Sequence, residues 1–285
     1  MICKILVPVR GDGKGENVLN HAAVLAHKFG SHVQVTHCRP RPEDMLPYGI
    51  PVPAFLKDQL REQASKLADA EEQGIKDKFT EISARLDLNI ATAGSAKGAS
   101  ASWIEEPGKQ VDVIKRHGRL ADVIAVAKPD RDRNLGSNTL KAALFNTGRP
   151  VLMCPPTNDT VETLGENIAL AWNGSTEAAR AVALTLDLLE AADTVTILAG
   201  GREEPHGASA EDLQEYLKLR SIDATVVRFK IKSNAGKGLL EQAASAGSDV
   251  LIMGAYGDSH ERETVFGGNT QTIVDKSKMP VILVH

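Results

Sequence analysis

An internal repeat narrows what this chain can fold into more than any other feature of its 285 residues. Residues 4–38 run through an apolar segment (Ile5-Leu6-Val7-Pro8-Val9), a glycine-rich turn, a helical pattern over about residues 16–29 and a second apolar segment, His32-Val33-Gln34-Val35-Thr36. Residues 167–200 repeat that order: Ile168-Ala169-Leu170-Ala171-Trp172, the turn Asn173-Gly174-Ser175, a helical pattern over about 176–190, and Thr194-Val195-Thr196-Ile197-Leu198. The ends of the halves also correspond. Ala121-Asp122-Val123-Ile124-Ala125-Val126 parallels Gly247-Ser248-Asp249-Val250-Leu251-Ile252-Met253, and Gly136-Ser137-Asn138-Thr139 parallels Gly267-Gly268-Asn269-Thr270. Each half closes on a proline-led apolar run, Pro150-Val151-Leu152-Met153 and Pro280-Val281-Ile282-Leu283-Val284. The period is too long for a solenoid and implies a duplicated domain.

Within each half, short continuous apolar runs alternate with helical patterns, as expected of strands buried on both faces in parallel β-α-β units. The second half predicts strands at about 167–172, 193–199, 223–230, 249–254 and 280–284, with helices at about 175–190, 209–220, 235–246 and 268–277. The first half matches, with a longer segment between its second and third strands. Residues 40–53 hold five prolines (Pro40, Pro42, Pro47, Pro51, Pro53) and predict an irregular loop. Residues 54–86 are rich in Ala, Glu, Lys and Leu and predict a solvated amphipathic helix on the sheet. Pro155-Pro156-Thr157-Asn158-Asp159 reads as the linker, giving domains at 1–156 and 163–285.

With 33 basic and 37 acidic side chains the formal charge is −4, and 42% of residues are apolar. This composition argues against disorder and against nucleic-acid binding through bulk positive charge. The apolar run at the N-terminus is too short for a signal peptide, and no stretch approaches the roughly 18 residues of a membrane span. Cys3, Cys38 and Cys154 are odd in number and widely spaced. They read as reduced, buried thiols of a cytoplasmic protein.

Ligands of an open parallel sheet bind outside the carboxyl ends of its strands. In the second half the loop after the fourth strand holds Gly254-Ala255-Tyr256-Gly257, then nine residues, then Gly267-Gly268-Asn269-Thr270 at a helix start. Glycines there let backbone amides approach an anion, and the helix N-terminus adds free N–H donors. A second reading stands beside it: the glycines shape turns, and Asn269 or Thr270 caps the helix.

The Gly-x2-Gly-x9-Gly spacing before a final helix and a Pro-Val-rich strand resembles the universal stress protein family, as does the opening Lys4-Ile5-Leu6-Val7-Pro8-Val9. The duplicated layout resembles its tandem members, and the resemblance covers nearly the whole chain. It implies two α/β domains of the adenine nucleotide alpha hydrolase type. Each would be a five-stranded parallel sheet with helices on both faces, and the two would pack as an internal pseudo-dimer, with strands 151–153 and 281–284 as candidates for pairing across it. It further implies a cytoplasmic protein of stress signalling or protection, binding ATP in a subset of members. Carried over by position, Gly254, Gly257 and Gly267 match the phosphate-loop glycines, while Gly268 stands where Ser or Thr is usual. Asn173 replaces an acidic residue near the adenosine, and Ala199 would offer a backbone contact. The amides of Gly257, Gly267, Gly268 and Asn269 would hold phosphates, with Mg²⁺ brought by the nucleotide. In the first half Arg10 takes the acidic position, Ala127 and Asp130 replace the first two glycines, and five residues separate Asp130 from Gly136 where the family has nine. ATP is not expected there. Arg10, Arg131 and Arg133 read as solvated surface arginines.

Other classes find less support. Gly11-Asp12-Gly13-Lys14-Gly15 approaches a dinucleotide fingerprint, but Glu16 stands where the third glycine belongs and the second strand ends in His37-Cys38-Arg39 without an acid for the ribose. No zinc or nucleophile motif is present, and His21, His27, His32, His37 and His206 form no ligand spacing. The sequence thus predicts no catalytic residues, no resident metal and at most slow ATP hydrolysis. The partners are an adenine nucleotide and a protein whose identity the sequence does not give, with association of two chains left open. The alternative is a tandem member without nucleotide, acting as an interaction scaffold.

Overall fold

The computed structural model describes residues 1–10, 14–39, 72–94, 97–157, 161–201, 207–231, 234–257 and 268–285. The predicted loop at 40–53 and residues 54–71 of the predicted long helix lie outside them, as does His206. The first half comprises β1 (Lys4–Val9), α1 (Gly15–Phe29), β2 (His32–Arg39), α2 (residues 72–85), β3 (Asn89–Ile90), β4 (Ser100–Pro107), α3 (Gln110–Gly118), β5 (Val123–Ala127), α4 (Ser137–Asn146) and β6 (Val151–Cys154). The second comprises β7 (Asn167–Trp172), α5 (Thr176–Leu184), α6 (Leu186–Glu190), β8 (Thr194–Gly200), α7 (Ala210–Lys218), β9 (Ala224–Phe229), α8 (Ala235–Ser245), β10 (Val250–Gly254), α9 (Gly268–Lys276) and β11 (Val281–Val284).

The described strands form one 11-stranded sheet in the order β3-β4-β2-β1-β5-β6-β11-β10-β7-β8-β9. Every pairing is parallel except the central one. There β6 and β11 run antiparallel, with Val281 opposite Met153, Ile282 opposite Leu152 and Leu283 opposite Val151. The two closing strands therefore pair across a pseudo-twofold, as the resemblance implied, and each covers the edge the other would leave open. The expectation of five strands per half needs one correction: the first half adds the two-residue edge strand β3, too short to show a periodicity in sequence.

The inner strands are buried on both faces, so the core has two layers and alternate residues of each strand divide between them. Ile5 and Val7 face α1 and α2, in the layer that also holds Ile168, Leu170, Trp172 and α5 to α7. Leu6 faces the opposite layer with Ile124, Met153, Ala169, Leu251, Ile273 and the remaining helices. Both layers run through both halves without a break.

The helix predicted over 175–190 is two helices. Thr185 turns its hydroxyl back to the Ala181 carbonyl at 2.6 Å and gives its amide to Val182 at 3.2 Å, so the ladder tightens there and restarts as α6. The cysteine expectation holds for Cys154, which is buried, and is corrected for Cys3, which is exposed; Cys38 is partly covered, its thiol donating to the Gly108 carbonyl at 2.8 Å. Cys3 lies ahead of β1, outside the sheet layers that would bury it.

One feature of the repeat is structural. Asp249 accepts the amides of Gly165 and Glu166, each at 2.9 Å, and Asp122 accepts those of Cys3 and Lys4 at 2.8 and 2.9 Å. Each aspartate thus ties the entry of its half's first strand to that of the fourth.

Candidate nucleotide cleft

Between β10 and β7 the strand order reverses, since β7 is followed on one side by β8 while β10 is joined on the other to β11. Loops leaving the carboxyl ends diverge at such a point and leave a crevice. A cleft of about 580 Å³ opens there, lined by residues 172–178, by Met253, Gly254, Tyr256 and Gly257 after β10, and by Gly268, Asn269 and Thr270 at the start of α9. Leu198, Phe229 and Leu239 join Met253 to give it an apolar floor.

Local chemistry fixes the wall after β7. Asn173 Oδ1 accepts the Ser175 amide at 3.2 Å, an Asx turn. Gly174 takes φ 72°, and a Cβ there would stand 3.2 Å from the Ala208 carbonyl oxygen, so glycine is needed twice over. Trp172 Nε1 donates to that same carbonyl at 2.9 Å, tying the end of β7 to the segment at Ala208. Ser175 then caps α5, its hydroxyl accepting the Ala178 amide at 3.2 Å.

The opposite wall is the glycine loop. Gly254 and Gly257 do not have positive φ, so close approach, not backbone freedom, is the reason for glycine. A Cβ on Gly254 would stand 2.5 Å from the carbonyl carbon of Glu177 and 2.6 Å from the Ala178 nitrogen: the first turn of α5 rests on it. At Gly257 the neighbour is the far end of a side chain, Glu177 Oε2 at 2.8 Å. Tyr256 between them adopts φ 60°. For a bulky residue the left-handed region costs about 1–2 kcal/mol, and packing holds it there: its ring meets Phe145 of the first half with centroids 5.1 Å apart. Burial, reinforced by the charge of Asp275, pushes the Tyr256 hydroxyl above its ordinary pKa.

Three helices begin on this cleft: α5 at Thr176, α8 at Ala235 and α9 at Gly268. Asn234 caps α8 by accepting the Lys237 amide at 3.1 Å and reaches the Gly268 carbonyl with its Nδ2 at 3.5 Å, tying the starts of α8 and α9 together. Helix N-termini carry free N–H groups and positive potential, so the cleft presents an apolar floor and an anion-favouring rim.

Of the residues singled out from sequence, Asn173, Gly254, Gly257, Gly268 and Asn269 line this one cleft. Gly267 lies outside the described residues. Ala199 is not among the lining residues: strand alternation turns its methyl into the opposite core layer, and its neighbours Leu198 and Gly200 face the cleft. Sequence reasoning did not single out Glu177, Phe229, Leu239 or the start of α8, all of which the tertiary fold brings in.

The corresponding place in the first half is closed. Only about 20 Å³ remains among Val9, Arg10, Lys14, Ala127, Leu135, Gly136 and Thr139. Asp130 and Leu135 exchange backbone hydrogen bonds at 2.9 Å, folding the shortened loop onto itself. Lys14 donates to Asp130 at 3.1 Å and, with the Arg133 amide, holds that carboxyl below the ordinary carboxylate range. Arg10 is turned to the Thr139 hydroxyl at 3.3 Å, while Arg131 pairs with Asp275 across the halves at 2.8 Å. Among the described residues the chain's own side chains fill the place equivalent to the second-half cleft, while a separate cavity of about 450 Å³ lies beside it among Lys14, Asn17, Lys128, Asp130 and Cys154.

Among the described residues no cluster of His, Cys, Asp or Glu could hold a metal ion, and no helix is long and apolar enough to cross a membrane.

Residues 166–285 match the model of the universal stress protein family. No curated protein sequence matches the chain significantly. Among solved structures, a universal stress protein from Archaeoglobus fulgidus DSM 4304 superposes with a TM-score of 0.69 at 15% identity, over 99% of this chain and 97% of that one, which shows a shared fold. A putative universal stress protein from Pseudomonas aeruginosa UCBPP-PA14 gives 0.49 at 16% identity over 99% and 93% of the two chains, and UspA from Lactobacillus plantarum gives 0.39 at 17% over 54% and 97%. The second half of the chain thus matches the universal stress protein family, and the first half carries the same fold a second time.

Proposed function

We propose that this protein acts in stress signalling or protection through an adenine nucleotide, ATP or a relative, bound in the second-half cleft. The observation that carries the reading is the convergence of the glycine loop and the starts of α5, α8 and α9 on an apolar-floored cleft at the switch point. A flat base would lie on the floor formed by Leu198, Phe229 and Met253, and the phosphates on the amides of Gly257, Gly268 and Asn269. Asn173 has its Oδ1 engaged and offers its Nδ2 to the adenosine. Mg²⁺ would arrive with the nucleotide. No general base stands among the described lining residues near the loop other than Glu177, so hydrolysis would be slow at most.

The test is calorimetry with ATP on stripped protein, alongside mass spectrometry of small molecules released from freshly purified, denatured protein. Gly257→Leu should keep the fold, because the Cβ it adds meets only the end of Glu177 among the described residues, and should lose nucleotide affinity. Parent-like binding by a folded Gly257→Leu would remove the assignment of this cleft. The closed first-half site favours a second reading, an interaction scaffold without nucleotide. Absence of both released nucleotide and heat at millimolar ATP would select it.

A further inference from the structure

We propose that Glu177 makes the second-half cleft select adenine nucleotides by phosphate charge, taking a nucleoside monophosphate in preference to a triphosphate not complexed to metal. The inference rests on the nucleotide reading of the cleft. Glu177 is the second residue of α5, and its backbone lies against Gly254 while its carboxylate lies against Gly257. It therefore spans the two glycines over which a phosphate chain would run. At neutral pH that stretch of the wall already carries a negative charge of the chain's own, half-buried and seated in the first turn of a helix, where an anion is favoured.

The helix starts point the same way. Ser175 occupies the Ala178 amide of α5, and Asn234 occupies the Lys237 amide of α8. The start of α9 is different, since Gly268 is exposed and a Cβ on it would stand in open space among the described residues. A phosphate group at that start would lie beside the exposed glycine and Asn269. A second and third phosphate would pass the Glu177 carboxylate and be repelled by it, in a partly enclosed cleft where charge is poorly screened.

The experiment titrates the intact protein and Glu177→Gln with AMP, ADP and ATP by calorimetry, with and without Mg²⁺, at low and high salt. In the parent, AMP should bind about tenfold or more tighter than Mg²⁺-free ATP, with ADP between them. Glu177→Gln should tighten Mg²⁺-free ATP by about tenfold and move AMP by less than about threefold, and high salt should shrink the difference between parent and variant. The parent series needs no substitution, so it tests the proposal even if Glu177→Gln folds poorly. Mg²⁺-free ATP binding at least as tight as AMP in the parent, or an unchanged ATP-to-AMP ratio in the variant, overturns the proposal and leaves the nucleotide reading standing. ATP binding that requires Mg²⁺ and weakens in Glu177→Gln makes the carboxylate a metal partner and also overturns it. Failure of all three nucleotides to bind is a different result, which removes the nucleotide reading itself.

Discussion

The glycines that read as one motif in sequence should separate into distinct classes when a single methyl is added. At Gly254 the new Cβ meets backbone, the Glu177 carbonyl carbon at 2.5 Å and the Ala178 nitrogen at 2.6 Å. An ordinary contact needs about 3.5 Å, so the first turn of α5 must retreat by about 1 Å. That turn carries Ala178, which is buried, and leads into Ala181 and Val182 in the core layer beneath. Retreat would loosen this packing as well as the cap at Ser175. Overpacking of a close-packed site costs about 1–3 kcal/mol, and loss of a cap adds about 1 kcal/mol, so Gly254→Ala should cost about 2–4 kcal/mol. For a chain of this size that lowers the thermal midpoint by about 3–7 °C. Gly268→Ala meets nothing, has no positive φ to strain and restricts the unfolded chain, so it should be neutral or stabilise by up to about 1 kcal/mol. Calorimetric melting of the two single variants and the parent decides the matter. A Gly254→Ala protein that melts within about 1 °C of the parent would refute the reasoning, because α5 would then not rest on that glycine.

Two further outcomes follow from the same geometry. Asp249→Asn removes charge and one of two accepting oxygens from its strand-entry hydrogen bonds and should cost about 1–3 kcal/mol in urea unfolding. Asp122→Asn, where both amides reach one oxygen, removes charge alone and should cost about 1 kcal/mol, and neither should change affinity for ATP or AMP. His21, His32 and His37 are all held below the ordinary imidazole pKa, chiefly by burial, with Lys4 adding to the effect at His32 and Glu105 opposing it at His37. Above pH about 6.5 neither folded nor unfolded chain protonates them, and below it the unfolded chain takes up protons the fold resists, so stability should fall from about pH 6.5 downward; a urea midpoint that rises between pH 7 and 5.5 would contradict this.

The architecture was legible because strands such as Ile5-Leu6-Val7 and Val250-Leu251-Ile252 are buried on both faces and so read as unbroken apolar runs. The position of the cleft was legible too, since the glycine spacing marks the loop after the fourth strand. What was missed depends on tertiary approach. Thr185 has an unremarkable place in a helical pattern, and only its hydrogen bond to Ala181 reveals the break. Glu177 reads as a helix-starting acid, the commonest residue type for its position, until Gly254 and Gly257 are found against it. Nothing in the order Gly-x2-Gly distinguishes a glycine pressed on backbone from one beside a mobile carboxylate. The closed first half was foreseeable in part, from Arg10, Ala127 and Asp130, but its means were not: Asp130 serves as the anchor of a folded loop, bound by Lys14 from the other side of the crevice.

The two halves have diverged where the sheet permits it. Asp122 and Asp249, and the closing strands β6 and β11, do equivalent work in both, because each is tied into a structure that spans the whole sheet. The loops at the carboxyl ends are under no such constraint: the first half could fill its crevice with an ion pair and still supply its face of the shared core. Its contribution to the open cleft is indirect but physical. Phe145, from α4, packs on Tyr256 and meets the ring of His285 at 4.9 Å, while His285 in turn is bonded to the Ala255 carbonyl at 3.0 Å. The turn that carries Gly257 is therefore braced from across the pseudo-twofold, and the strained φ of Tyr256 is sustained by a side chain of the first half. On this geometry the first half is a support for the glycine loop, which gives a physical reason for one chain to retain two copies of the fold.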